Sequence, residues 1–593
     1  MMVAPCIPSA RLDYMKSALS FLLALAVALL MSSCSDDPVS STTPHAIPAY
    51  TGEILSLDAH FEGIAGTAPN DVYAVGSVLL HYDGAEWGGV ALPANAREIR
   101  AAFGFSDGTL MASDGSRAYL RKNSEWTEIT PPLGGLRSLW GTSPADIYGI
   151  DYNGMTHFDG EVWTQVELPD YPEYPYPITG RSSTDIVTNG RWGAIYRFDG
   201  SQWTTARVDS FYNYSSLAIT QSGRLFAGDS RVFEITGSSR QLILDDRFNS
   251  DVMLCADGEV LYAAGRFFDS EYPDYQFSIQ RYSNGTWEEV GKDTGRPRAL
   301  LARNGNIVVA GESNLIWRGS DHGGSLENVY PHRPVLTCAI NIDGAIFAAG
   351  EGAYRYEDGV WTDLNKEYVA RNTAWAIAGR TPRDIYAVGD RMIMHYDGDK
   401  WSWINGGFNL GLRAAWVDAN GDLLTAGSNV VFRKHGDDWF EETIPGDPRG
   451  IYAMWGSDNA VYGVGSHGLT AVRRNGEWRA MQSATSSTLN TIWGFDDTHI
   501  YAAGENNDEL CVYDGHTWQP VFITGAHLGS FQSIWGNSPA DFWAAGYGGA
   551  VAHYDGSEWT ALDRYFPRGA YAICGNLREA LVLSNYGIIS YHR

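Results

Sequence analysis

Beyond residue 58 the apolar positions come in short runs set off by Gly, Pro, Ser, Asn and Asp, and no 3.6-residue period links one run to the next. Residues 533–562, SIWGNSPADFWAAGYGGAVAHYDGSEWTAL, show the arrangement. The runs predict four strands, near residues 531–535, 541–545, 550–554 and 558–562. The separators GNSPA, GYGG and DGS are turn chemistry, with Gly taking positive φ and Asp or Asn bonding local backbone. The same unit of about forty residues recurs thirteen times between residues 59 and 562, as in SLWGTSPADIYGIDYNGMTHFDGEVWTQV and AIAGRTPRDIYAVGDRMIMHYDGDKWSWI.

Four short antiparallel strands per unit, repeated many times, is the arithmetic of a β-propeller, so the expected fold is all-β. A Trp opens the fourth strand in eleven copies: Trp87, Trp126, Trp163, Trp203, Trp287, Trp361, Trp401, Trp439, Trp478, Trp518 and Trp559. Copies near residues 234–244 and 325–329 lack it, which makes thirteen complete units. Residues 569–593 supply three strands of a fourteenth and the sequence stops before its fourth, while residues 52–57 form a strand with no predecessor. That N-terminal strand is expected to complete the last blade and cover its edge. Fourteen blades exceed the usual ring size, so the expectation is two seven-bladed propellers, at residues 59–329 and at 335–593 plus 52–57. A single fourteen-bladed ring is the alternative.

The repeat lacks the Gly-His and Trp-Asp pairs of WD40 blades and the diglycine of kelch blades. It resembles bacterial secreted or lipid-anchored propeller proteins whose repeats read WGxSPxDxxAVG followed by HYDGxxW, and the resemblance covers residues 59–593. That family is mostly uncharacterised, so the resemblance implies a fold and leaves the ligand open. The net charge of −28 and the lack of a basic stripe exclude a nucleic-acid partner, whose phosphates are held by clustered Lys and Arg.

The N-terminus predicts export. Lys16, an apolar run at residues 18–31, then Ser32, Ser33 and Cys34 read as a signal peptide over residues 1–33, too short for a membrane span of roughly 20 apolar residues. The Cys after small residues resembles the lipobox of bacterial lipoproteins, with Met31 where Leu is usual, so Cys34 is the expected lipidation site. Met15 begins a complete signal of this kind and is the expected start. Asp36 and Asp37 are similar to the surface-export signal of Bacteroidetes lipoproteins. Residues 34–50, rich in Ser, Thr and Pro, should form a tether, giving a protein of the cell envelope, at the outer membrane or cell surface.

Because the sequence repeats, its copies can be compared with one another. His81, His157, His395 and His553 share a slot that holds Arg197, Arg281 and Val512 elsewhere, which argues for strand residues and against a metal site. Asp83, Asp159, Asp199, Asp397, Asp514 and Asp555 each precede Gly in hairpin turns. Asp71, Asp146, Asp384 and Asp541 are expected to bond backbone amides at the turn between the first two strands. Cys255, Cys338 and Cys574 fall in the slot of Trp140, Trp455, Trp493 and Trp535 and read as small buried hydrophobes. The repeated Trp residues read as packing between blades rather than sugar platforms.

Function is sought where the repeat is broken. Insertions at residues 170–177, 209–214 and 267–275, with shorter loops at 151–152 and 191–192, are expected on one face of the first propeller. They would gather Tyr152, Tyr171, Tyr174, Tyr176, Trp192, Tyr212, Tyr214, Tyr272 and Tyr275 there. Exposed aromatics suit stacking on a glycan or a protein interface, although Tyr and Pro also stiffen long loops. The expectation is a binding platform without catalysis or cofactor, attached to the membrane only through its lipid. The alternatives are a glycan hydrolase or lyase, with Glu173 and Asp274 as suspects, and a scaffold in envelope assembly. No nucleophile elbow, phosphate loop or zinc spacing occurs.

Overall fold

The computed structural model describes residues 51–592 apart from positions 58, 132–134, 152–153, 170–176, 209–212, 246–247, 249–251, 270–271, 321, 328–334, 366–372, 405–410, 428–429, 446, 448, 506–507, 525 and 568. The signal, Cys34 and the tether lie outside them.

The strands form fourteen four-stranded antiparallel sheets. In the first blade the order is Phe61–Ala68, Asp71–Gly76, Leu79–Tyr82 and Trp87–Gly89. Every other sheet repeats this simple meander except the last, where Thr51–Leu57 pairs with Gly587–His592 beyond Ala570–Gly575 and Glu579–Ser584. The expectation that the N-terminal strand completes the final blade is met, with Ile54 opposite Ile589.

Two rings result. The innermost strands Phe61–Ala68, Ala101–Gly104, Ser138–Ser143, Ile178–Ser182, Ser216–Ile219, Met253–Asp257 and Pro297–Arg303 lie side by side, and the last returns to the first. A second closed set runs from Leu336–Ile342 through Ala374–Thr381, Ala414–Val417, Ile451–Gly456, Leu489–Asp496 and Phe531–Ser538 to Ala570–Gly575. Seven blades close each ring, so the single wide ring does not form.

The burial pattern explains the repeat. A blade's second strand has a neighbouring blade against each face and is almost wholly buried, as in Asp71–Gly76 and Ala345–Gly350. Its sequence is accordingly near-continuous in apolar residues. The outer strand keeps one partly covered residue, the repeated Trp, and exposes the rest, as in Trp87–Gly89.

In several blades that Trp bonds the neighbouring blade through its ring N–H. Trp126 donates to the Ala91 carbonyl at 2.9 Å, Trp287 to Ile243 at 2.8 Å, and Trp163 to Ile129. The first ring closes the same way, because Trp87 donates to the Glu327 carboxylate of the seventh blade at 2.8 Å. Asn314 reinforces the seam by accepting from the Ala59 amide at 2.5 Å and donating its own amide to the Ala59 carbonyl at 2.8 Å.

The N-terminal strand also brings the rings into contact. Ile54, buried, lies where a side chain on Gly89 of the first blade would stand, so that Gly leaves room for it. Beside it the Leu92 amide donates to the Arg564 carbonyl at 2.8 Å, and the Arg564 guanidinium donates to the carbonyls of Pro93 at 2.9 Å, Ala96, and Gly548 at 3.1 Å. Burial pushes the pKa of Arg564 down from its usual value.

Candidate functional site

The residues that look chemical in the repeat turn out to hold the blades. Asp83, Asp159, Asp397 and Asp514 each accept from the amides two and three residues on. These amides, the third-residue one foremost, hold the four carboxyls below their usual range. Asp555 falls to about 2, because the Ser557 hydroxyl adds to the same amide pair. All are turn fixtures, as the sequence implied.

Asp71, Asp146, Asp384 and Asp541 correct the expectation. Their carboxylates meet a ring nitrogen of His81, His157, His395 and His553, on the third strand of the same blade, at 2.7–2.8 Å. Each His also lies against the aromatic opposite it in register, with centroids 4.2 Å apart for Tyr73 and His81 and 4.7 Å for Trp543 and His553. Other blades fill the two slots differently, and in the sixth and eighth Arg281 and Arg355 hold the His slot while Val260 and Ala345 hold the Asp slot. Asp185 meets Arg197 and Asp422 meets Arg433, Arg224 and Glu234 exchange sides, and Glu579 accepts from Ser590. Where His499 stands in the Asp slot, Val512 stands in the His slot.

Burial sets the worth of each pair. Asp541 and His553 are 13% and 6% exposed, whereas Asp71 and His81 are 33% and 29% exposed. Asp541→Ala should therefore cost about 2–3 kcal/mol by leaving a buried imidazole without its partner. Asp71→Ala should cost less than about 1 kcal/mol. Chemical denaturation of the two variants tests this, and equal losses would refute the assignment.

The cysteine alignment needs one change. Cys255 and Cys574 sit opposite Tyr262 and Leu581, as Trp535 sits opposite Trp543, but in the eighth blade Ile340 faces Phe347 and Cys338 lies two residues earlier. Cys338, Cys511 and Cys574 are buried free thiols, with pKa values pushed up to about 12 by burial.

Of the aromatic candidates on the first ring, Tyr152, Tyr171, Tyr174, Tyr176 and Tyr212 lie outside the described residues. Tyr272 and Tyr275 fall on the strand Tyr272–Ser283, and only their backbone is described. The insertion at 267–275 is thus a hairpin that prolongs the second and third strands of its blade, with Asp269 opposite Tyr272. Trp192 is 53% exposed at the tip of a turn with φ of 61°, and its amide donates to the Asn213 side chain at 3.1 Å. Tyr214 departs from the expected exposed set. It is 2% exposed, packs with Val187 and Leu217, and sets its ring edge-on to Phe233. It anchors the loop, and its buried ring is not offered to a ligand.

The cavity on this face is the mouth of the first ring's channel, about 460 Å³, lined from every blade by residues at the upper ends of the innermost strands. Its lining includes the small residues Gly63, Ala101, Ala102, Ser138, Ser215 and Ser216. Its rim carries Arg100, Arg137, Arg266, Arg296 and Arg298, with Glu62 and Glu312 the carboxylates among the lining residues. Arg298 and Arg296 meet Glu312 at 3.0 and 3.3 Å. Burial raises the pKa of Glu312, and the two guanidiniums outweigh it to hold the carboxyl below its usual range. These arginines do not stand out in the sequence. The available signal was that Arg100 and Arg137 occupy one repeat slot, immediately before an innermost strand.

No family model matches the chain, and no curated protein matches it. Among solved structures it is similar to PorZ, an essential bacterial surface component of the type-IX secretion system of Porphyromonas gingivalis, with a TM-score of 0.61 at 13% identity over 91% of this chain and 87% of that one. The extracellular domain of a putative one-component system from B. thetaiotaomicron aligns over 92% of this chain and 82% of its own at 11% identity, with a TM-score of 0.37. YCF48 bound to D1 peptide aligns over 44% of this chain and 94% of its own at 16% identity, also with a TM-score of 0.37. The likeness to PorZ is one of fold, and it places the chain in the class of β-propeller proteins.

Proposed function

We propose that this protein is a lipid-anchored binding platform of the bacterial cell envelope, whose first ring recognises a glycan or protein at the mouth of its channel and carries out no chemistry. The observation that carries the reading is the convergence on one mouth. Residues from all seven blades line it, among them Pro177, Ser215 and Arg266, which end or adjoin the sequence insertions at 170–177, 209–214 and 267–275. Conserving the Trp, Asp-Gly and Asp-His positions across blades while varying these loops is the division of labour expected when a rigid scaffold presents a binding surface. The signal features around Cys34 support an envelope location, and PorZ, which shares the fold, is itself a surface component.

Two loops of this face are already joined. The amide of Trp192, between the second and third strands of the fourth blade, bonds Asn213, and Ser215 two residues on lines the mouth. Trp192 should therefore act as an exposed aromatic contact held in place before any ligand arrives. The test is binding of the full chain, in detergent, to a glycan array and to envelope extracts. Trp192→Ala should weaken whatever binding is found about tenfold, in line with the 1–2 kcal/mol that an exposed aromatic contact contributes. Binding that survives Trp192→Ala but is lost on altering the second ring would overturn the assignment.

A further inference from the structure

The channel mouth also carries an indication of ligand chemistry. The protein has 70 acidic and 42 basic residues, so any small area of its surface is expected to be acidic. At this mouth the lining residues reverse the balance, with five arginines and two glutamates. The arginines come from separate parts of the fold. Arg100 and Arg137 precede the innermost strands of the second and third blades, Arg266 lies on the sixth blade's second strand, and Arg296 and Arg298 lie at the start of the seventh blade's innermost strand. The repeat does not demand such a set, since other blades place other residues in those positions.

We propose that this mouth binds an acidic glycan, a saccharide chain bearing carboxylates such as a uronic-acid oligomer. The inference rests on the reading of the first ring as a binding platform. Guanidinium groups present a planar fork of N–H donors that matches a carboxylate, and several placed around one opening suit a ligand carrying more than one anionic group. Glu312 already occupies part of Arg298 and Arg296 in the manner of such a carboxylate, which fixes their side chains. The Gly, Ala and Ser of the lining let a ligand approach the backbone, where an uncovered hydroxyl finds hydrogen-bond partners. Trp192, exposed on a turn whose amide bonds Asn213 in the segment leading to Ser215 of the mouth, would supply a flat apolar face on which a sugar ring stacks and which an acidic peptide does not require. The surrounding negative potential excludes anions elsewhere on the surface, so binding is confined to the arginine-rimmed opening.

The experiment titrates the full chain in detergent with three probes of similar length: oligogalacturonate, neutral oligogalactose and oligoglutamate. Oligogalacturonate should bind, more weakly as salt rises, and the neutral oligomer at least tenfold more weakly. Arg100→Gln and Arg298→Gln should each weaken oligogalacturonate about tenfold, the loss of one charge-assisted contact, with melting temperature unchanged in Arg100→Gln, whose side chain is exposed. Arg479→Gln, an exposed arginine of the second ring, should leave binding as it was. Failure of oligogalacturonate to bind, or binding insensitive to Arg100 and Arg298, overturns the acidic-glycan assignment. If the neutral oligomer then binds in a manner that needs Trp192, the platform reading stands without it. Tighter binding of oligoglutamate than of oligogalacturonate overturns the glycan in favour of an acidic peptide. Loss of all binding to glycans and envelope extracts alike would sink the platform reading itself.

Discussion

Glu442→Ala is expected to destabilise the second ring by about 3–5 kcal/mol, the cost of taking the shared carboxylate out of a largely buried ion network. Glu442 lies on the outer strand of the tenth blade, Asp438–Thr443, and does the work that a backbone carbonyl does elsewhere. Trp478 of the next blade donates its ring N–H to this carboxylate at 3.1 Å, so the tie between the blades runs through a side chain. The same carboxylate accepts from Arg473 at 2.7 Å and from Arg433 at 2.9 Å. Behind them Asp422 meets Arg433 at 2.8 Å and Asp418 lies 3.5 Å from Arg473. Burial alone would raise the pKa of Asp422, but the bonds from His435 and Arg433 lower it. Burial would likewise depress Arg433, and Asp422 and Glu442 raise it instead.

Removing Glu442 takes one acceptor from two guanidiniums and an indole at once, which is why the expected loss exceeds that of a surface pair. Thermal unfolding followed by tryptophan fluorescence should report the second ring's transition lowered by roughly 10 °C, from the usual scaling of stability with melting temperature. Glu442→Gln, which keeps an acceptor oxygen, should lose about half as much. Glu477→Ala breaks the exposed pair with Arg479 and should change stability by less than about 0.5 kcal/mol. A Glu442→Ala variant no worse than Glu477→Ala would show that the network contributes nothing net.

Much of this architecture is legible in the sequence because the repeat supplies its own alignment. The outer-strand Trp, the Asp-Gly turns and the strand left over at the N-terminus each follow from local chemistry seen many times over. The Asp-His pairing was less visible, because the partners lie ten to twelve residues apart on different strands and no single copy joins them. Nor do the two slots change together in every blade, since Arg281 and Arg355 hold the His slot where Val260 and Ala345 hold the Asp slot. Cys338 lay two residues from the expected slot, and only the strand pairing shows that Ile340 holds it. The arginines of the channel mouth were hidden differently. They come from four blades and are gathered only by ring closure, so beyond the shared slot of Arg100 and Arg137 neither spacing nor local charge reveals them.

Deleting residues 51–57 should have the largest effect of all and should act on one ring. The strand covers Gly587–His592, whose residues Ile588, Ile589 and Tyr591 are buried. Without it the last blade has three strands and presents an apolar, unpaired edge, the arrangement most prone to pairing with another molecule. The contact of Ile54 with the first blade is lost at the same time. The first ring keeps its own closure, since Trp87 with Glu327 and Ala59 with Asn314 all lie beyond the deletion. Two separated thermal transitions are therefore expected, the second ring melting more than about 10 °C lower and the protein associating in solution, while binding by the first ring persists below that temperature. A synthetic peptide of residues 50–58 added in trans should restore the monomer, because an edge that accepts a strand from its own chain accepts the same strand supplied separately. The Ile54→Asp peptide should fail to do so, since it would bury an unpaired carboxylate where Ile54 packs. A deletion variant that stays monomeric with one unshifted transition would mean that the N-terminal strand merely decorates a ring already closed without it.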